Sequence, residues 1–317
     1  MAIYYPGDAP QHHLRKPVVT IGTFDGVHLG HRLILEEVKR HAAAIGGESM
    51  VITFEPHPRQ VLQARDAVKI LTPLADKLSL ITEAGIQHVA VTPFTKDFSQ
   101  LSATAYVEDF LVKEFNPAAI VIGYDHRFGH DRCGDIALLR QYSKAHNYEV
   151  HEIPAHMVRD AAISSTRIRQ ALISGDVDIA AQMLGRPYSL CGQVVSGQQL
   201  GRTLGYPTAN VQPLAADQLI PAQGVYAVRV AVGGELYGAM LSIGTRPTVT
   251  DSDSVSIEVY IFDFDRDIYG QEVIVQFIQR MRDELKFDSL DTLKDAIKQD
   301  EVDARRILSA NQADGLA

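Results

Sequence analysis

Cysteine is scarce: Cys133 and Cys191 are the only two, far apart and without metal-ligand spacing. This excludes a disulfide scaffold and makes a reducing cytoplasm the expected location. Apolar runs are short. None approaches the roughly 18 residues of a membrane span, and the longest, such as Ala118 to Ile122, have the length of a strand. The stretch from Met1 to Lys16 lacks the apolar core of a secretory signal. Basic residues are not in excess either. The formal charge of −9 argues against a nucleic-acid binder, whose binding face is basic. It does not exclude phosphate ligands, because backbone dipoles bind anions locally. There is no internal repeat and no low-complexity tract. What the chain does have is 317 residues, 46% of them hydrophobic, enough for buried cores in about two domains.

The two halves follow different patterns. In the first, short apolar strands alternate with helices. Val18–Thr23 reads as a strand, Ile34, Val38, Ala42 and Ile45 recur at helical spacing, and Gly46-Gly47 ends that helix. Met50–Phe54, Val89–Thr92, Ala119–Gly123 and Tyr148–Ile153 are further strands. Between them lie a helix from Pro73 to Gly85 and one from an N-cap at Ser102 through Phe115. Such alternation implies a mainly parallel sheet covered on both faces, with ligands beyond the carboxyl ends of the strands. From Tyr188 strands dominate. Val225–Val232 and Glu235–Leu241 flank Gly233-Gly234 as a hairpin, and Ser256–Phe262 and Glu272–Ile278 follow. Helices return at Ser289–Lys298 and Asp303–Leu308, and Ser309–Ala317 reads as frayed. The expected architecture is α/β followed by β: a Rossmann-like parallel sheet, then an antiparallel β-barrel with terminal helices. The boundary falls at Gly185–Pro187, giving domains 1–184 and 185–317.

Residues 22–31, Gly-Thr-Phe-Asp-Gly-Val-His-Leu-Gly-His, join the first strand to the first helix. Free N–H groups and the positive dipole end make this a phosphate position. His28 and His31 can converge as the helix starts, and two imidazoles there suit stabilisation of charge developing on a phosphoryl group. A metal pair lacking an evident third ligand, or a purely structural turn, are the alternatives. The Gly-x-Gly-x-x-Gly spacing of a dinucleotide loop is absent. The pattern resembles the signature of the nucleotidyltransferase superfamily, whose members transfer AMP or CMP and release pyrophosphate. That resemblance implies a catalytic role for His28 and His31 and nucleotide contacts at Gly22, Phe24, Asp25 and Gly30. Ile163-Ser164-Ser165-Thr166-Arg167-Ile168-Arg169 resembles the superfamily's late motif, implying a triphosphate clamp from Ser164, Thr166 and Arg169; in isolation these hydroxyls would read as an N-cap.

Two more segments narrow the resemblance. Thr53-Phe54-Glu55-Pro56-His57-Pro58 and Gly123-Tyr124-Asp125-His126-Arg127-Phe128-Gly129 follow the second and fourth strands. They are similar to the loops of prokaryotic FAD synthetases that hold the flavin of FMN, which implies flavin contacts at Phe54, Pro56, Pro58, Asp125 and Phe128. Phe is common in that family where His126 stands here.

The second half carries Gly-Gln-Gln-Leu-Gly-Arg-Thr-Leu-Gly-Tyr-Pro-Thr-Ala-Asn at 197–210. Its glycines free backbone N–H groups to wrap phosphates, but its spacing is not that of a Walker A loop. The Gly-Tyr-Pro-Thr-Ala-Asn tail resembles the signature of riboflavin kinases. This implies that Gly197, Gly201, Thr203 and Gly205 bind ATP phosphates and that Thr208 and Asn210 hold Mg²⁺, a hard cation suited to oxygen donors. Glu258 lies in a strand pattern on the face of Ser256 and Tyr260; in the family a Glu here is general base for the riboflavin 5′-hydroxyl, while a wet-face glutamate is the alternative. Together the resemblances, spanning Val18 to Leu308, imply a bifunctional flavin-nucleotide enzyme of the bacterial cytoplasm. It would make FMN from riboflavin and ATP, then FAD and pyrophosphate from FMN and a second ATP, with no nucleic-acid or membrane partner.

Overall fold

The computed structural model describes residues 2–5, 7–8, 14–63, 68–154, 163–197, 205–246 and 254–313. The chain divides into two compact units, Met1–Ser165 and Thr166–Ala317.

The first unit is built on β1 (Ala2–Tyr4), β2 (Pro17–Ile21), β3 (Glu48–Glu55), β4 (His88–Pro93), β5 (Ala119–Gly123) and β6 (Glu149–Ile153). They form one sheet in the order β1-β4-β3-β2-β5-β6, every pair parallel. The β2 residues are buried throughout, as expected of a central strand covered on both faces. Alternate side chains feed two cores. Val18, Val51, Val89 and Val121 pack with Leu35 and Val38 of α1 (Leu29–Ile45). Val19, Met50, Ile52 and Ile120 pack on the other face with Phe110 and Leu111. These two lie in α3, a helical run of Ala103–Ala105, the π-helical Tyr106–Val112 and Lys113–Phe115. Between α1 and α3 comes α2 (Leu74–Glu83), and α4 (Ile136–His146) follows β5. Gly46 ends α1 in the left-handed region at φ 60°, its N–H directed to the Ala42 and Ala43 carbonyls. Ser102 caps α3 through Ala105 N–H at 3.1 Å. The three-residue β1 carried no strand pattern long enough to read from sequence.

The second unit opens with α5 (Ser165–Ser174), whose first residue closes the preceding unit, and α6 (Val177–Leu184). Buried Val177, Ala180 and Leu184 form the inner face of α6. The strands are β7 (Tyr188–Val195), β8 (Ala209–Pro213), β9 (Gly224–Val232), β10 (Glu235–Arg246), β11 (Ser254–Ile261) and β12 (Glu272–Arg282). They close an antiparallel barrel in the order β10-β11-β8-β7-β12-β9. The hairpin turn at Gly233 and Gly234 has φ of 60° and 83°, as a two-residue loop requires. One helix, α7 (Leu290–Ala313), replaces the two expected C-terminal helices. It packs Ala304 and Leu308 on Ala227, Met240, Phe262 and Ile278. Residues 309–313, expected to fray, are helical. No helix among the described residues is long and apolar enough to cross a membrane.

Candidate active sites

In the first unit the β2–α1 turn leaves the sheet at Gly22, whose N–H donates to the Ile52 carbonyl at 3.0 Å. Three of four successive turn positions are unusual: Phe24, Gly26 and Val27 have φ of 49°, 91° and 39°. For a β-branched residue this costs energy, and the fully buried Val27 side chain holds it in place. His28 then caps α1, its Nδ1 accepting from His31 N–H at 3.2 Å. The two imidazoles stack, with centroids 3.6 Å apart and planes 14° apart. Phe24 lies 5.0 Å from the His31 ring. A Cβ on Gly30 would stand 3.2 Å from the His28 ring atoms, so glycine lets that ring fold back over the helix start. The expected convergence of His28 and His31 is therefore present. Among the described residues, no three His, Cys, Asp or Glu side chains group as metal ligands.

Asp25, expected at the nucleotide, is 3% exposed. Its carboxylate accepts from Leu71 N–H at 2.9 and 3.1 Å and from Thr72 N–H at 3.0 Å, fastening the turn to the segment before α2. The late motif reaches the same turn, for Ser165 Oγ donates to the Asp25 carbonyl at 2.8 Å. This tether was not foreseen; its neighbours Ser164 and Thr166 looked the better candidates. Ser164 is half-buried, Thr166 exposed and Arg169 buried.

The two expected flavin loops also leave the carboxyl edge of the sheet. Phe54 is 8% and Phe128 5% exposed. Phe54 packs edge-on to Phe94, and Phe128 stacks on Tyr106 at 4.9 Å, so both rings belong to the aromatic core beneath the loops. The outer positions are Pro56 and Asp125, both exposed, and the half-buried Pro58. His57 and Gln60 form a capping box for the short helix Pro58–Leu62. His126 Nε2 is buried with no hydrogen-bond partner among the described residues, and burial pushes its pKa down to about 4, so it is neutral near pH 7. Lys77, on α2, is 5% exposed. Its Nζ donates to the Thr23 carbonyl at 3.4 Å and the Phe54 carbonyl at 3.3 Å. The only sequence signal was a lysine three residues after Leu74 and four before Ile81, on the apolar face of a helix.

In the second unit, Glu258 of β11 stands opposite Asn210 of β8 and Ser242 of β10. Directly paired residues share a face, so three polar side chains meet there. Thr208 Oγ1 donates to Glu258 Oε2 at 3.4 Å. A Cβ on Gly197 would collide with the Asn210 amide, so a glycine allows the two segments to touch. Gly205 is exposed at φ 86°, while Gly201 and Thr203 lie outside the described residues. Two cavities flank this cluster. One, of about 280 Å³, is lined by Glu258, Tyr206, Met240, Leu285 and Phe287. The other, of about 500 Å³, is lined by Phe264, Arg266, Ile268 and Tyr269. Thr208 lines both.

Both halves match flavin-nucleotide transferases. Residues 10–167 match the FAD synthetase family and residues 184–308 the riboflavin kinase family. Over 289 residues, covering 91% of each chain, the sequence is 41% identical to the bifunctional riboflavin kinase/FMN adenylyltransferase of Listeria monocytogenes. The Escherichia coli K12 protein of the same name is 38% identical over the same shares. A solved structure from Streptococcus pneumoniae, described as a macrolide-efflux protein, superposes with a TM-score of 0.84 at 35% identity. That superposition covers 93% of this chain and 96% of the other. The chain belongs to the family of bifunctional riboflavin kinase/FMN adenylyltransferases.

Proposed function

We propose that the chain phosphorylates riboflavin to FMN with one ATP and adenylylates FMN to FAD with another, releasing pyrophosphate, at two separate sites. The functional division runs 1–184 and 185–317, with the late motif on α5 serving the adenylyl half. The free cysteines accord with a cytoplasmic enzyme.

The observation that carries the kinase reading is Thr208 in the wall between two cavities, with Glu258 on the smaller one. Riboflavin suits the smaller cavity and ATP the larger. Glu258 accepts the proton of the 5′-hydroxyl as that oxygen bonds to the γ-phosphorus, and the bond from the γ-phosphorus to ADP breaks. Such transfers rest on positioning and charge neutralisation. The hydroxyl of Thr208 and the amide oxygen of Asn210 are hard donors beside a carboxylate and fit Mg²⁺. When bound, Mg²⁺ would offset phosphate charge. Gly197 and Gly205, with Gly201 and Thr203, would present backbone N–H groups to the phosphates.

In the first unit an FMN phosphate oxygen attacks the α-phosphorus of ATP and pyrophosphate leaves. The nucleophile is already anionic, so no strong base is required. Because His28 Nδ1 accepts from His31 N–H, the neutral ring carries its proton on Nε2, a donor for phosphate oxygen. His28, His31 and Arg169 would offset charge in the transition state, aided by the start of α1. Gly22, Phe24, Gly30, Ser164 and Thr166 would shape the ATP site around the Asp25 tether. Pro56, Pro58 and Asp125 would border the flavin, over Phe54 and Phe128.

The test is product chromatography with riboflavin or FMN, ATP and Mg²⁺. His28→Ala is expected to cut FAD formation about 100-fold or more and to leave FMN formation intact. Glu258→Ala is expected to stop riboflavin phosphorylation yet make FAD when FMN is supplied. If either change in folded protein removed both activities, the two-site reading would fail.

A further inference from the structure

We infer that Lys77 is a positioning residue for adenylyl transfer, holding the nucleotide turn and the flavin loop in fixed relation. The inference rests on the adenylyltransferase reading above. The two loops leave neighbouring parallel strands, β2 and β3. Their backbones are joined beneath the surface by one ammonium, 3.4 Å from the Thr23 carbonyl and 3.3 Å from the Phe54 carbonyl. Thr23 opens the turn that carries His28 and His31. Phe54 opens the loop that carries Pro56 and Pro58. A shift of either loop relative to the other stretches a bond to the same nitrogen.

The charge is deliberate in physical terms, because a buried ammonium is costly without partners. Burial lowers the Lys77 pKa, and the carboxylates of Glu55 and Asp25 act against that shift. Glu55 Oε2 is 3.9 Å away, beside the flavin loop. Asp25 belongs to the nucleotide turn. The charged groups around Lys77 thus come from the same two loops as its carbonyl acceptors. Thr53 Oγ1 also donates to the Thr23 carbonyl, at 3.1 Å, a neutral link from β3 that carries no charge and does not reach α2. At 5% exposure, Lys77 is a brace and not a contact for substrate phosphate.

Methionine matches lysine in length and lacks both charge and donors. In Lys77→Met, KM for FMN and KM for ATP in FAD formation are expected to rise together, each about tenfold. Riboflavin phosphorylation by the same preparation should stay within about twofold, because it is performed by the other unit. Lys77→Arg, which retains a donor cation, should recover most of the loss, and Thr53→Val should not mimic it. Circular dichroism and thermal unfolding establish that each variant is folded. Should Lys77→Met not fold, Lys77→Gln, which keeps a neutral donor, takes its place. Unchanged KM values in a folded neutral variant would overturn the inference, as would a fall in stability without a change in KM. Failure of both neutral variants to fold would also overturn it, by making Lys77 a stability element. If the wild-type chain made no FAD, the adenylyltransferase reading would fall, and not this inference alone.

Discussion

Two glycines act through the side chain they omit. A Cβ on Gly197 would overlap the Asn210 amide, which is short and has no distant end to swing away. Gly197→Ala should therefore displace Asn210 and lower kcat/KM for riboflavin phosphorylation about 10- to 100-fold. FAD formation from FMN should be unchanged, and steady-state assays of both steps check this. At Gly30 the added methyl would press on the His28 ring at 3.2 Å. A few tenths of an ångström of adjustment accommodates it, so Gly30→Ala should affect FAD formation less than Gly197→Ala affects FMN formation. Asp25 is a different case. Its carboxylate holds the N–H groups of Leu71 and Thr72. Asp25→Ala leaves buried donors unsatisfied and should destabilise the first unit by about 1–3 kcal/mol, measured by urea unfolding.

At the scale of elements, the central strands and the Gly233-Gly234 hairpin were readable because apolar periodicity and turn chemistry are local signals. The C-terminal helix was not, and Asp300 is the reason. The apolar pattern lapses between Lys298 and Asp303, which reads as a break, yet nothing there is Gly or Pro. Asp300 is 8% exposed, and Arg282 of β12 donates to it at 2.9 and 2.7 Å. A tertiary partner turns a polar gap into an inward-facing position. Removing the arginine strands that carboxylate. Arg282→Met should cost about 2–3 kcal/mol, below the roughly 3–5 kcal/mol of a fully enclosed pair. Pairing it with Asp300→Leu should restore much of the loss in denaturant titrations. The sites divide in the same way. His28, His31, Thr208, Asn210 and Glu258 stood out as candidates because their motifs are contiguous or lie at strand spacing. Ser165 and Lys77 were not, because what they touch is distant in sequence: the Asp25 carbonyl for one, Thr23 and Phe54 for the other. Phe54 and Phe128 were read as flavin contacts, and only packing shows that their rings lie in the core.

For the whole molecule, acid sensitivity follows from His126. Its folded pKa of about 4 lies below the roughly 6.5 of an exposed imidazole. The unfolded chain therefore takes up a proton first. The stability contributed by the neutral ring is complete above about pH 6.5 and is lost as pH falls toward about 4. His126→Phe should flatten the decline of Tm over that interval, as read by scanning calorimetry. An unchanged slope would show that other groups set the acid limb.

The barrel's ring of hydrogen bonds has its own consequence. Among the described residues, strand β8 meets β11 through two residue pairs, Asn210 with Glu258 and Ala209 with Val259. One of those rungs is the pair to which we assign the phosphorylation chemistry. Sealing the cylinder and assembling the kinase chemistry are thus a single event. On that assignment, a chain whose β8–β11 seam is open has no weakened kinase site; it has none.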